Sequence, residues 1–234
     1  MSDSDTHLIV LPGGGYAEYA AHEGDPIVKW LSGLGFRAGV FRYPLLVRHP
    51  APLLALRAEI RRLRDGGAER IGLIGFSAGG HLAGLAALAP GGSRSDAVDF
   101  AVLGYPITSM ETETYRPARM ILLGEDATPD LRRATSLDAL VTRSSAPFFL
   151  WHTAEDPYVP AEHTYRLARS LAANAVPHSA HVFAHGPHSL GLAPGSGETA
   201  LWTTLAASWI AEQSHAVDIS RPCDVDQPAP GHHA

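Results

Sequence analysis

The chain has 234 residues, 45% of them apolar and 18% charged, with a formal charge of −6. That is the composition of one folded globular domain, with enough apolar material for a buried core. Arg supplies every cation but Lys29, and the acidic balance leaves no electrostatic footprint for nucleic acid or an anionic membrane. The single cysteine, Cys223, excludes an internal disulfide framework, and no apolar run approaches the ~18 residues of a membrane helix. Met1 to Asp5 is acidic where a secretory signal would be basic, so the expectation is a cytoplasmic enzyme or binding protein.

In chain order, His7 to Leu11 reads as a buried strand stopped by Pro12-Gly13-Gly14-Gly15. Asp25 to Leu34 has Ile27, Val28, Leu31 and Leu34 at helical spacing, with Gly35 as its stop. Phe36 to Tyr43 is a second strand, ended by Pro44. Pro52 to Arg64 is a helix with Leu53, Leu56, Ile60 and Leu63 on one face, closed by Gly66-Gly67. Arg70 to Phe76 is a continuous apolar strand and Ser77 to Ala89 an Ala/Leu-rich helix. The strands Ala97 to Tyr105 and Pro147 to His152 follow, then the helix Ala161 to Ala173, the strand Ser179 to Ala184 and the helix Glu198 to Gln213. Strands alternating with helices of this length predict βαβ units and a mostly parallel sheet covered on both faces. Residues 107–146 break the rhythm and are placed as an insertion over the carboxyl edge of the sheet. Residues 1–213 are assigned to one domain and 214–234, without periodicity, to a flexible tail.

The most informative segment is Gly75-Phe76-Ser77-Ala78-Gly79, a G-x-S-x-G motif with a predicted strand before it and a predicted helix after it. So sharp a turn crowds the backbone, which is why glycines flank the serine. It holds the hydroxyl at a helix N-terminus, where developing negative charge is favoured. A serine needs a base, and the base an orienting acid. Asp156 (with Glu155 as the alternative) lies in an acidic turn after a predicted strand, and His188 in a Gly-Pro loop after the last one. Ser77, Asp156 and His188 thus arrive in the order this architecture uses.

The chain resembles an α/β-hydrolase of the small acetyl-esterase, or acetyl-xylan-esterase-like, group. The resemblance rests on Leu11-Pro12-Gly13-Gly14-Gly15-Tyr16, His22-Glu23-Gly24, the segment from Gly75 to Leu82, Trp151 to Asp156, and Gly186-Pro187-His188. The D-x-x-V-P form of the acid turn implies Asp156 over Glu155. Pro12 departs from the His that many lipase-like relatives carry, and the chain begins at what resembles the third strand, implying a sheet shortened at its N-terminal edge. The resemblance implies a serine carboxylesterase acting through an acyl-enzyme on short-chain esters of small molecules, including acetylated sugars, without a cofactor. Amide cleavage of the arylformamidase or acyl-aminoacyl peptidase kind, and a non-catalytic hydrolase-fold binding module, are the alternatives.

For the oxyanion, the amide of Ala78 follows the nucleophile, and the glycine loop after the first strand supplies Gly14 and Gly15, since Pro12 has no N–H. No G-K-[ST] or G-x-G-x-x-G arrangement makes that loop a phosphate cradle. His178, His181, His185 and His188 crowd one region, but spacings of three and four along a strand do not put all four on one face, and no H-E-x-x-H occurs, so no metal site is expected. His81, one turn after Ser77, is read as packed or hydrogen-bonded, and His152, just before the acid turn, is a candidate to line the site without an assigned catalytic role. Glu23 and Asp25 open a helix, where carboxylates serve capping and the helix dipole, and the His22-Glu23-Gly24 resemblance adds only modestly to a site-supporting role for Glu23.

Overall fold

The computed structural model describes residues 6–90 and 92–215. Strands β1 (Thr6–Leu11), β2 (Arg37–Val40), β3 (Arg70–Phe76), β4 (Phe100–Gly104), β5 (Phe148–Thr153) and β6 (His178–Phe183) form one sheet in the order β2-β1-β3-β4-β5-β6. Every pairing is parallel. The helices are α1 (Asp25–Gly33), α2 (Ala51–Asp65), α3 (Ser77–Leu88), α4 (Arg116–Leu123), α5 (Pro129–Ala134), α6 (Leu137–Leu140), α7 (Glu162–Ala173) and α8 (Trp202–His215).

The two-residue period of the strands sorts their side chains between two cores. Ile9, Leu11, Ile71, Leu73, Ala101, Leu103, Phe148 and Leu150 join the layer formed by α2, α3 and α7. Their neighbours Leu8, Val10, Ile74, Phe76, Phe100, Val102, Phe149 and Trp151 join that of α1 and α8. In the second core Trp151 stacks on Trp202 with centroids 4.7 Å apart. The central strands are apolar throughout because both of their faces are covered.

Three elements depart from the periodicity by more than one residue. β2 ends at Val40 rather than Tyr43, because the chain then turns to support the loop after β1: the Tyr43 hydroxyl donates to the Pro12 carbonyl at 2.7 Å. β4 starts at Phe100 rather than Ala97, since Ser93 and Asp96 cap a short 3-10 turn whose last bond uses the Ala97 amide. The last helix begins as a 3-10 turn, Gly197–Leu201, and α8 includes Ser214 and His215, which were expected in the tail. The rest of that expected tail, 216–234, and the acidic Met1 to Asp5 lie outside the described residues.

Within 107–146 the chain forms α4, α5 and α6, and two buried histidines moor it. His163 on α7 accepts the Thr108 and Ser109 amides on Nδ1 at 2.9 and 3.2 Å and donates from Nε2 to the Glu113 carbonyl at 2.9 Å. His81 on α3 donates from Nε2 to the Thr135 carbonyl at 2.8 Å, and its Nδ1 accepts the Tyr16 hydroxyl at 2.7 Å. Burial lowers the pKa of each to about 4. Unfolded, both would titrate near their ordinary value of about 6.5. Between those limits the unfolded chain binds the extra protons, so stability falls as pH drops from about 6.5 towards 4, by up to roughly 3 kcal/mol per histidine over the window. Urea midpoints should decline across that range, and less steeply in a His81→Gln variant. A midpoint independent of pH there would contradict this account.

Candidate active site

The sheet order brings the chemistry-bearing loops together. Ser77 follows β3, and the Pro12–Tyr16 loop follows β1, its neighbour in the sheet, with Leu11 opposite Gly75. Asp156 follows β5 and His188 follows β6, another adjacent pair, with Thr153 opposite Phe183. All four loops leave the carboxyl ends of parallel strands, and those after β1 and β3 flank the point where the strand order reverses. This is where open α/β sheets place their sites.

At the elbow Ser77 has φ 51°, a left-handed conformation costly for a non-glycine residue. A side chain on Gly75 would strike Gly79 and Gly80, and one on Gly79 would strike the Leu11 and Pro12 backbone. Ser77 opens α3 directly, so the Ala78 amide is among those without an intrahelical acceptor.

His188 Nε2 lies 2.8 Å from Ser77 Oγ, and His188 Nδ1 lies 2.5 Å from Asp156 Oδ2. Asp156 is held from four directions. Its Oδ1 accepts the Tyr158 and Val159 amides, both at 2.9 Å. Its Oδ2 faces His152 Nε2 at 3.2 Å as well as His188. Burial alone would raise the Asp156 pKa, but the hydrogen bonds from His152, His188 and Val159 outweigh it and hold the carboxyl well below the usual range. The group is an acceptor throughout the range in which enzymes work. Glu155, the alternative acid, instead faces solvent, with Oε1 3.0 Å from His185 Nδ1 and without contact to His188.

Gly14 and Gly15 line a cleft of about 440 Å³ together with Ser77, His188, Tyr115 and Tyr158. The Gly13 amide, one residue earlier, is already donated to Glu23. Tyr115 and Tyr158 meet edge to face at 5.9 Å, and both are exposed.

The sequence assigned His152 and Glu23 no firm part in the site, and Tyr105 and Ser189 none at all. His152 is fully buried, its Nε2–H shared between the Val159 carbonyl at 2.8 Å and Asp156, and its Nδ1 beside the Thr164 hydroxyl at 2.8 Å. Glu23 caps nothing: it ends a short 3-10 turn and is fully buried, bonded to Tyr105 and Ser189 as well as Gly13. Only the position of His152 four residues before the acid, at the end of a strand, hinted at its contact. Of the clustered histidines, His178 faces its own Val176 carbonyl, His181 lies against Phe149 and Phe183, and His185 pairs with Glu155. Among the described residues no group of three or more His, Cys, Asp or Glu side chains could hold a metal ion.

Comparison with known proteins agrees with this architecture. The family model BD-FAE matches residues 65–171. Endo-1,4-beta-xylanase B of Butyrivibrio fibrisolvens is 28% identical over 206 residues, which is 80% of this chain but 32% of the xylanase. The chain thus spans about a third of that curated relative. Among solved structures, the acetyl ester-xyloside bifunctional hydrolase of Caldicellulosiruptor lactoaceticus is 35% identical, with a TM-score of 0.85 over 91% of this chain and 84% of its own. A carboxylesterase of Lactobacillus plantarum is 28% identical, with a TM-score of 0.74 over 90% and 86%. On that identity along nearly the full length of both chains, and on the sheet and elbow described above, the protein belongs to the α/β-hydrolase superfamily, among its carboxylic ester hydrolases.

Proposed function

We propose that the chain is a serine carboxylesterase that hydrolyses short-chain acyl esters, acetyl groups on sugars among them. The observation that carries the reading is the continuous line Ser77 Oγ, His188 Nε2, His188 Nδ1, Asp156 Oδ2, with spacings of 2.8 and 2.5 Å. In this mechanism Ser77 Oγ attacks the ester carbonyl carbon while its proton passes to His188 Nε2. Asp156 fixes the imidazole tautomer and stabilises the imidazolium. The amides of Ala78, Gly14 and Gly15 receive the oxyanion. His188 then protonates the departing alcohol, leaving an acyl-Ser77 that water, activated by the same His188, hydrolyses.

The size of the cleft supports a small acyl group. Its cover is Tyr115, Pro117 and Ile121, from the short helical segment between β4 and β5, and Tyr158. A cleft of about 440 Å³ that both halves of the ester must share fits a small substrate better than a lipid. The exposed rings of Tyr115 and Tyr158 at the mouth offer flat apolar faces to an alcohol such as a sugar ring. A lipase-type site would gain ~0.8 kcal/mol for each CH₂ it buries. This site should instead give kcat/KM highest for nitrophenyl esters of about two to four carbons, with a steep fall beyond, and should release acetate from acetylated xylo-oligosaccharides. Octanoyl esters cleaved better than acetyl esters would overturn the short-acyl reading. A wild-type protein that fails to react with a fluorophosphonate would overturn the serine mechanism itself.

A further inference from the structure

Glu23 is a fully buried carboxylate whose hydrogen bonds join two of the loops carrying the chemistry, with a third partner, Tyr105, at the end of β4. Its Oε2 accepts the Gly13 amide at 2.7 Å, immediately before the Gly14-Gly15 pair. Its Oε1 accepts the Tyr105 hydroxyl at 2.7 Å and the Ser189 hydroxyl at 2.6 Å, Ser189 being the residue after His188. A Cβ on Gly13 would come within 2.7 Å of Glu23 Oε2, so the glycine leaves room for the carboxylate.

The surrounding groups fit one purpose. Ser189 has φ 63°, a conformation that must be imposed from outside. Glu23 holds its hydroxyl, and the adjacent His22 Nε2 holds its carbonyl at 2.8 Å. Tyr105, at the end of β4, lies edge-on to the His188 ring at 4.9 Å, and its hydroxyl oxygen accepts the Gly191 amide at 2.9 Å. Burial, with Glu23 beside it, pushes the Tyr105 pKa well above its ordinary value, so the phenol keeps its proton and keeps donating. A carboxylate this deep persists only because its oxygens are saturated by donors.

We propose that Glu23 is a positioning residue that clamps the oxyanion loop, through Gly13, to the His188 loop, through Ser189. The donors of the oxyanion hole and the base are thereby held at one spacing, independent of what the substrate contacts. The proposal rests on the reading of Ser77 as nucleophile. It predicts an effect on the chemical step, because a misplacement of about 1 Å among reacting groups can cost ~100-fold in rate.

Glu23→Gln keeps the volume but replaces one acceptor by a donor. With its oxygen towards Gly13, the amide nitrogen faces a Tyr105 oxygen already occupied by Gly191. Competent sites are counted by fluorophosphonate titration, which separates a fall in folded protein from a fall in turnover. Per titrated site, Glu23→Gln should lose about 10- to 100-fold in kcat with KM within about twofold of wild type. The inhibition constant of phenylboronic acid, which forms a tetrahedral adduct on Ser77, should rise by the same factor as kcat falls. Ser189→Ala should lose about five- to tenfold per site and add little in the Glu23→Gln background, as expected of groups acting as one unit. If Glu23→Gln does not fold, Ser189→Ala carries the test. A kcat per site within about twofold of wild type in whichever variant folds, or a full multiplication of the two losses, would overturn the clamp. Wild-type protein that titrates and turns over normally beside such a result leaves the serine mechanism standing; wild-type protein that does not titrate removes that mechanism first.

Discussion

Ser77→Ala should abolish ester hydrolysis while leaving the fold in place. The side chain sits at the tip of the elbow between β3 and α3, outside both apolar cores, so its loss opens no cavity among packed residues. Alanine must adopt the same left-handed backbone as the serine, at similar cost, and the Gly75 and Gly79 contacts that impose the turn are untouched. Stability to urea should therefore stay within about 1 kcal/mol of wild type. The chemistry has no substitute: no acyl-enzyme can form, and His188 Nε2 loses the hydroxyl 2.8 Å away that it would deprotonate. Templates of this kind put the loss at about 10⁴-fold or more, with a residue of catalysis from the oxyanion amides alone. Nitrophenyl acetate hydrolysis and fluorophosphonate labelling measure it together. A folded variant that keeps a tenth of the wild-type rate would remove Ser77 from the nucleophile's role.

The parts of this site legible in the sequence are those that local geometry dictates. The elbow is one, because steric crowding selects glycine on both sides of a serine within five residues. The parallel sheet is another, because strands covered on both faces must be apolar throughout, as Ile71 to Phe76 is. Glu23 was legible only faintly: its place at a helix start suggested a capping carboxylate, and the His22-Glu23-Gly24 resemblance added little to a supporting role at the site. Its partners lie 10, 82 and 166 residues away, so no spacing along the chain announces it. His152 shows the same limit, since a histidine at a strand end is compatible with core, surface or site until the next strand is placed. The shortened β2 had a related cause. Phe41 and Tyr43 alternate with Arg42 as in a strand, and the Phe41 amide still donates to the Val10 carbonyl at 2.9 Å, but beyond it the Tyr43 hydroxyl is taken up by the Pro12 carbonyl and the pairing stops. The misreadings concentrate in the layer that holds the loops together, where side chains from distant segments meet.

The acid turn offers a comparison between neighbouring residues. Asp156→Asn should lower kcat by about 10⁴-fold, whereas Glu155→Gln should stay within a few-fold of wild type. Asp156 receives the Tyr158 and Val159 amides on Oδ1, and His188 and His152 on Oδ2. An asparagine can keep only one of these acceptor edges. If its oxygen stays on the two backbone amides, its nitrogen points at His188 Nδ1. The imidazole then presents Nδ1 as an acceptor and carries its proton on Nε2, towards Ser77. A base so protonated cannot take the serine proton. If the amide turns over instead, its nitrogen meets the Tyr158 and Val159 N–H groups, donor against donor, and the turn that aims the side chain is disturbed. Either way the line to Ser77 is broken. Glu155 has no share in it: both its partners, His185 Nδ1 at 3.0 Å and the Gly186 amide at 3.4 Å, are at the surface, where such pairs contribute little. Steady-state rates of the two variants on nitrophenyl acetate, normalised to folded protein, decide the matter. An inactive Glu155→Gln beside an active Asp156→Asn would move the orienting acid by one residue and refute the contact between Asp156 and His188 as the catalytic one.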